Sequence, residues 1–368
     1  MRILSVVTLV SPRGDFGGPV RVAVNQARAL TERGHDVVLA GGHRGFDGPA
    51  PRSLDGVPTA LFPARRVVPG AGFAGLAAPG LYRWLASAAG RFDIVHVHAA
   101  RDLVTLPAAH RVHRAGIPYV MQTHGMIDLS SNPLARPLDA VLTRPLLRTA
   151  KRVFCLTPSE QRDLRQVGGD ALAFQELPNG VPLPRELRNE PTETEVLYLA
   201  RLAPRKRPMV FVEMARSLAT EYPNVRFTLV GPDEGEGTRV EQAAADEPAG
   251  RLSWEGPLAP EATGGRMAAA SIYVLPSIDE PFGMTVLEAM ALGLPVVVTD
   301  SCALAPMIRR TQCGLVTDAT QDGMNAAVRS LLADPDLART MGERGTRTAR
   351  EEFSMPAVAD ILEDAYST

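Results

Sequence analysis

The chain has 368 residues, 45% of them hydrophobic and only 5% aromatic. That length exceeds what one hydrophobic core usually serves and implies two α/β domains of roughly 170–190 residues each. Thirty-nine basic against forty-one acidic residues leave a net charge of −2, too balanced for bulk electrostatic binding of nucleic acid.

In chain order, the apolar run at 2–10 is too short for a secretory signal and lacks a small-residue cleavage site before Ser11-Pro12-Arg13, so it reads as the first strand. The following Asp15-Phe16-Gly17-Gly18-Pro19 opens a helix over 19–33. Gly17 and Gly18 let backbone approach an anion, and the helix N-terminus offers free N–H groups. A tight turn would explain the same glycines, and the loop does not match the dinucleotide fingerprint G-x-G-x-x-G. No later stretch reaches the ~20 uninterrupted apolar residues of a spanning helix, because Pro and Arg break 67–85.

Further strands are predicted at 36–40, 94–98, 119–122, 152–156 and 173–177. Helices lie between them, for example at 102–115, with Gly34 and Gly116 placed as left-handed C-terminal caps. This alternation is the pattern of parallel sheets. His96 and His98 share one face of their strand without an evident third ligand, so no metal is expected. His124 ends the strand at 119–122, where a ligand would meet it. Arg144, Arg148, Lys151 and Arg152 lie without an acid in 142–152, which reads as a solvated helix or a weak peripheral contact with an anionic membrane. Cys155, Cys302 and Cys313 are widely spaced in apolar sequence and read as reduced core thiols of a cytoplasmic protein.

Pro, Asn and Gly crowd 177–191, and a hinge is predicted near 180–192. The series then restarts, with strands at 195–200, 225–230, 252–254, 272–275 and 296–299, and helices at 209–220, 321–332, 336–353 and 356–366. After the first of these strands, Arg201, Arg205, Lys206 and Arg207 gather on one loop, suited to phosphate through arginine forks and a lysine point charge. A solvated basic loop is the plainer reading. Between the last two strands, Glu280 lies in a loop, Phe282, Gly283, Met284 and Thr285 open a helix, and Glu288 falls in its early turns. Backbone N–H groups there can hold a phosphate while the carboxylates accept from sugar hydroxyls.

These motifs resemble the retaining GT-B glycosyltransferases of family 4 over nearly the whole chain. The most specific element is Glu280 and Glu288 inside Glu-Pro-Phe-Gly-x-x-x-x-Glu-Ala-Met-Ala-x-Gly-x-Pro-Val. The resemblance implies two Rossmann-like domains facing each other across a donor/acceptor cleft. The acceptor domain would be 1–182 and the nucleotide-sugar domain 183–354, with a final helix at about 355–368 packing back on the first. It implies that Glu280 is placed by the donor sugar, that Glu288 holds the ribose, and that Phe282 to Thr285 contact the donor through backbone amides. Arg201 and Lys206 would neutralise the diphosphate, Gly17 and Gly18 would form the N-terminal glycine loop, and His124 would lie near the reacting carbon. The catalytic set is then His124, Glu280, Arg201 and Lys206. Acceptor-side candidates are Phe16, Arg21, His98, Arg101 and the loop 127–139. Ala200 and Arg207 replace glycines of the family pattern, and Pro19 replaces an acidic or small residue.

The implied activity is transfer of a glucose-, N-acetylglucosamine- or mannose-type hexose from a nucleoside diphosphate, expected to be UDP, to an acceptor hydroxyl. Neither metal nor other cofactor is expected. The acceptor would be a small molecule, a glycoside or a lipid-linked sugar in bacterial natural-product or cell-envelope synthesis. Alternatives are a sugar-nucleotide epimerase and a non-catalytic nucleotide-sugar-binding protein. The oligomeric state is left open.

Overall fold

A computed structural model describes residues 1–12, 17–130, 132–184, 193–247, 250–259 and 262–367. The chain divides into two compact units, residues 1–180 with the last helix, Met355–Ser367, and residues 181–354. Phe16, and residues 185–192 of the expected linker, lie outside the described residues.

The first unit contains β1 (Arg2–Val10), β2 (Asp36–His43), β3 (Ser53–Leu54), β4 (Val57–Pro63), β5 (Arg65–Arg66), β6 (Leu76–Ala77), β7 (Ile94–His98), β8 (Tyr119–Gln122), β9 (Val153–Cys155) and β10 (Phe174–Glu176). β5 and β6 form a separate two-stranded ribbon, and the rest make one sheet in the order β10-β9-β8-β7-β1-β2-β4-β3. Only the terminal β3–β4 pairing in that sheet is antiparallel. Alternation along β1 builds both layers: Leu4 and Val6 join a cluster with Leu106 and Val112, while Ile3 and Val7 join another with Val24 and Leu30. A parallel strand covered on both faces needs this continuous apolar run. Gly34 and Gly116, with φ of 86° and 71°, follow two of the covering helices in the left-handed region.

The helix Met355–Ser367 belongs to this unit by packing and by charge. Val358, Leu362 and Tyr366 enter the cluster around Ile3 and Leu30. The Arg33 guanidinium donates to Asp360 and Glu363, each at 2.7 Å.

The second unit contains β11 (Glu195–Leu199), β12 (Arg226–Val230), β13 (Leu252–Trp254), β14 (Ile272–Leu275), β15 (Val296–Thr299) and β16 (Gly314–Thr317). They form one all-parallel sheet in the order β13-β12-β11-β14-β15-β16. Tyr198, Phe211 and Phe227 anchor its core.

Both sheets reverse their winding once, at β1/β7 in the first unit and β11/β14 in the second. In open parallel sheets the crevice beyond the carboxyl ends at such a reversal is where ligands bind. The loops after β1 and β7, and those after β11 and β14, are therefore the places to look.

Five strands are absent from the predicted set; β3, β5 and β6 are only two residues each. β4 carries Pro58 and Pro63 and is largely half-exposed at the sheet's edge, so it lacks the apolar run of a central strand. β16 is four residues long and begins with Gly314, where a Cβ would fall 2.2 Å from Val296 O.

Candidate active site

In the second unit the reversal brings together two loops that are distant in sequence. Residues 200–207 follow β11, and residues 276–283 follow β14. The amide of Ile278 donates to Arg205 O at 3.1 Å, and Ser277 Oγ lies 3.3 Å from the same carbonyl. Thr299 Oγ1, from the end of β15, donates to Ser277 O at 2.5 Å.

The centre of this assembly is Glu280. Its carboxylate Oε2 pairs with Lys206 Nζ, accepts from Ser277 Oγ at 2.9 Å, and lies 3.7 Å from Arg205 Nη1. Both partners of the Lys206–Glu280 pair are sheltered, with side chains 12% and 7% exposed. A buried ion pair is costly to desolvate and contributes little net stability unless its geometry is well satisfied. Its presence at the mouth of a parallel sheet points to chemistry more than to folding.

Gly283, at φ 79° and ψ 59°, is the N-cap of the helix Met284–Ala291. A Cβ there would meet Val286 Cγ2 at 3.2 Å and Glu280 Cγ at 3.5 Å, so glycine suits the position by conformation and by crowding. Among the described residues the amides of Met284 and Thr285 take no hydrogen-bond partner. They carry the positive end of the helix dipole toward the side where Glu280 and Lys206 lie. Glu288 stands half-buried in the second turn of this helix. Phe282 is buried with its ring edge-on to Phe353, centroids 6.4 Å apart.

Arg201 is placed differently from Lys206. Its Nη1 donates to both oxygens of Glu234, at 2.9 and 3.1 Å, on the surface of the loop. Arg207 occupies the left-handed region, at φ 52° and ψ 52°, as the N-cap of the helix Pro208–Ala219. That backbone explains the glycine of the family pattern at this position, and arginine adopts it here under strain. Gly231 packs against the backbone of Ala200: a Cβ on Gly231 would lie 2.0 Å from Ala200 O.

Two tyrosines not singled out from the sequence fix these loops from below. Tyr198 Oη donates to Arg201 O at 2.9 Å. Tyr273 Oη lies 3.0 Å from Leu199 O and 2.6 Å from Thr285 Oγ1, tying the end of β11 to the helix start. Desolvation raises both phenols well above their ordinary range, so they stay protonated donors.

In the first unit, Gly17 and Gly18 begin the helix Gly17–Glu32, two residues earlier than predicted. A Cβ on Gly18 would meet nothing within 4 Å. Arg21 lies exposed on the same helix. His124 and Gly125 leave β8 with φ of 53° and 72°. His124 Nε2 lies 2.9 Å from His98 Nδ1, the rings stack at 5.2 Å, and His98 Nε2 reaches Ser5 Oγ at 3.1 Å. His96 stacks behind His98 at 4.3 Å, with its Nδ1 2.8 Å from Tyr366 Oη. Burial pushes His124 and His96 down to about 3, and burial, with the neighbouring imidazoles, holds His98 well below its ordinary value. The stack is therefore neutral near pH 7. Among the described residues no group of three or more His, Cys, Asp or Glu is arranged to hold a metal ion.

Glu160 is a further residue that the sequence reading did not reach. It is buried, and it accepts from Thr123 Oγ1, Gly125 N and Leu156 N at 2.5, 2.5 and 2.7 Å. The signal was present as Thr157-x-x-Glu160, a capping-box spacing. Thr157 does cap the helix Pro158–Gly168, but Glu160 turns toward the His124 loop. Arg101, beside His98, is held by Asp139 and Asp128. Arg144 and Arg148 of the basic segment donate to Val167 O and Gly168 O at that helix's C-terminus. No helix among the described residues is long and apolar enough to cross a membrane.

The family model "Glycosyl transferase 4-like domain" matches residues 17–180, and "Glycosyl transferases group 1" matches 183–348. The D-inositol 3-phosphate glycosyltransferase of Nocardia farcinica is 28% identical over 308 residues, 76% of this chain and 67% of that one. Its counterpart in Kineococcus radiotolerans is 28% identical over 316 residues, 75% and 71% of the two chains. Among solved structures, Anabaena HepE in complex with UDP and glucose superposes with a TM-score of 0.75 at 19% identity, covering 100% of both chains. WaaG, a glycosyltransferase involved in lipopolysaccharide biosynthesis, gives 0.64 at 18% identity over 99% and 98%. Two Rossmann-like domains of this topology make the fold GT-B. The chain is a GT-B glycosyltransferase related to the group 1 and 4-like families.

Proposed function

We propose that the chain transfers a hexose of glucose, N-acetylglucosamine or mannose type from a UDP-linked donor to an acceptor hydroxyl, with retention at the anomeric carbon. The observation that carries this reading is the sheltered Lys206–Glu280 pair beside the unpartnered amides of Met284 and Thr285. A diphosphate leaving group gains negative charge as the sugar–phosphate bond breaks. A lysine ammonium and a helix N-terminus beside that group stabilise the charge. Anabaena HepE has been solved with UDP-glucose as well as with UDP and glucose, which supports UDP as the nucleotide.

In this reading the donor diphosphate docks against Met284 and Thr285, and Lys206 turns from Glu280 toward a phosphate oxygen. Glu280 then accepts from a sugar hydroxyl, and Glu288 from the ribose. Arg201 exchanges the two oxygens of Glu234 for two phosphate oxygens, a swap between bidentate acceptors. His124, neutral, lies near the reacting carbon, and Gly17 and Gly18 leave room for an anion at the other helix start. The acceptor hydroxyl attacks on the face from which the diphosphate leaves, and the departing oxygen takes its proton. The product is a glycoside of natural-product or cell-envelope type.

The test is incubation of the purified chain with a panel of nucleotide sugars, following release of nucleoside diphosphate. Slow release from one donor, lost on Glu280→Ala and on Lys206→Ala, is the expected result. A modified sugar nucleotide as sole product would favour an epimerase, and tight binding without turnover at any acceptor would favour a binding protein.

A further inference from the structure

A cavity of about 380 Å³ opens in the first unit between the segment after β5 and the loops that follow β7 and β8. Val68, Phe73, Leu103, Met126, Leu134 and Leu138 line it, and its charged groups are Arg101 and Asp128. Its size and mostly apolar lining are those of a small-molecule site. The loops after β7 and β8 leave the carboxyl ends of the sheet, where His98 and His124 also lie, and Met126 is two residues beyond His124.

The one cation of the lining is already committed. Arg101 Nε and Nη2 grip Asp139 Oδ1 and Oδ2 at 2.9 and 3.0 Å. Its Nη1 reaches Asp128 Oδ1 at 3.3 Å, and Nη2 also bonds Asp128 O. Asp139 is buried, at the start of the π-helical turn Asp139–Thr143. Unlike the exposed Arg201–Glu234 pair, Arg101 and Asp139 are both sheltered, with side chains 12% exposed, so this fork stays on its carboxylate and is not offered to a phosphate. Around it Val67, Leu129 and Leu134 are more than half exposed, interspersed with the exposed Arg65, Arg66 and Arg136. The nearby Arg144 and Arg148 donate Nε, and Lys151 its ammonium, to backbone carbonyls.

We infer that the acceptor is an uncharged small molecule whose apolar ring or aglycone sits in this cavity, and not a phosphorylated polyol of the kind for which the D-inositol 3-phosphate glycosyltransferases are named. The inference rests on the reading of the chain as a sugar transferase and narrows its acceptor. An apolar group displaces water from the cavity, while the committed Arg101 fixes the loop that forms one wall.

The test uses N-phenyl-1-naphthylamine, a neutral apolar fluorophore, titrated with the full chain. Saturable binding at one site is expected, weakened at least tenfold by Leu134→Asp and by Ala71→Trp. Leu134 is exposed, so its variant should melt at the wild-type temperature, and the second variant fills the cavity from another wall. A neutral aryl glycoside such as 4-nitrophenyl β-D-glucoside should displace the probe, and D-inositol 3-phosphate should not. Absent binding, binding unchanged in both variants, or displacement by D-inositol 3-phosphate would overturn the inference. So would co-sedimentation with phosphatidylglycerol vesicles, or self-association, that Leu134→Asp abolishes. Calorimetric binding of UDP to the wild-type chain, run in parallel, separates the two claims. UDP binding without probe binding sinks only the acceptor inference, and no UDP binding sinks the transferase reading together with the acceptor assigned to it.

Discussion

The Glu160 carboxylate holds the Gly125 amide at 2.5 Å, and the same oxygen accepts from Thr123 Oγ1. Between these two residues stands His124 at φ 53°, a conformation that a non-glycine residue keeps only under external constraint. Glu160 supplies that constraint from a different helix. Glu160→Ala leaves two backbone amides and a hydroxyl without their acceptor, and should destabilise the chain by about 2–4 kcal/mol. Glu160→Gln should recover part of this, because one oxygen remains. Urea unfolding of both variants checks the order, and donor hydrolysis should fall in the same order if His124 acts beside the sugar.

The neutral histidine stack makes stability depend on pH in a definite direction. His96 and His124 are held down to about 3 in the folded chain, against an ordinary value near 6.5. Below that ordinary value the unfolded chain takes up protons that the folded chain refuses, so stability falls as pH drops from about 6.5 toward 3. Each histidine contributes at most about 1.4 kcal/mol per pH unit within that window. Thermal melts between pH 7.5 and 4.5 should show the decline, and His96→Phe should flatten it. A slope unchanged by that substitution would place the titrating groups elsewhere.

Arg207 stands in the left-handed region where the family pattern has glycine. The strain of about 1–2 kcal/mol for an L-residue there exceeds the extra entropy of about 0.5–1 kcal/mol that glycine loses on folding. Arg207→Gly should therefore stabilise the chain by roughly 0.5–1 kcal/mol, measured as a higher melting temperature. Arg207→Ala, which keeps the strain and loses the side chain, should not.

The strands that set the two winding reversals were legible because their apolar runs are short, β-branched and bounded by turn residues. β11 and β14 were placed to within a residue, and so was the loop that carries Glu280. β4 was not, because its prolines and exposure mimic a loop. The glutamate motif named Glu280, but spacing along the chain could not show that Lys206 is its partner, since 74 residues separate them. Nor could it show that Arg201 faces Glu234. Thr157-x-x-Glu160 reads as a capping box and so hides the contact of Glu160 with the His124 loop, while Tyr198 and Tyr273 act through hydroxyl contacts to backbone carbonyls, a role that leaves no periodicity or motif. Arg207 is the reverse case, since its departure from the family pattern became intelligible only with its φ angle.

The central claim is that the start of the helix Met284–Ala291 and Lys206 together form the diphosphate site. Its most direct test is the dissociation constant of UDP for the wild-type chain and for Lys206→Ala, measured by calorimetry at fixed ionic strength. Loss of a charge-assisted hydrogen bond of about 1.5–3 kcal/mol predicts roughly 10- to 150-fold weaker binding. UDP bound equally well by both proteins would contradict the account.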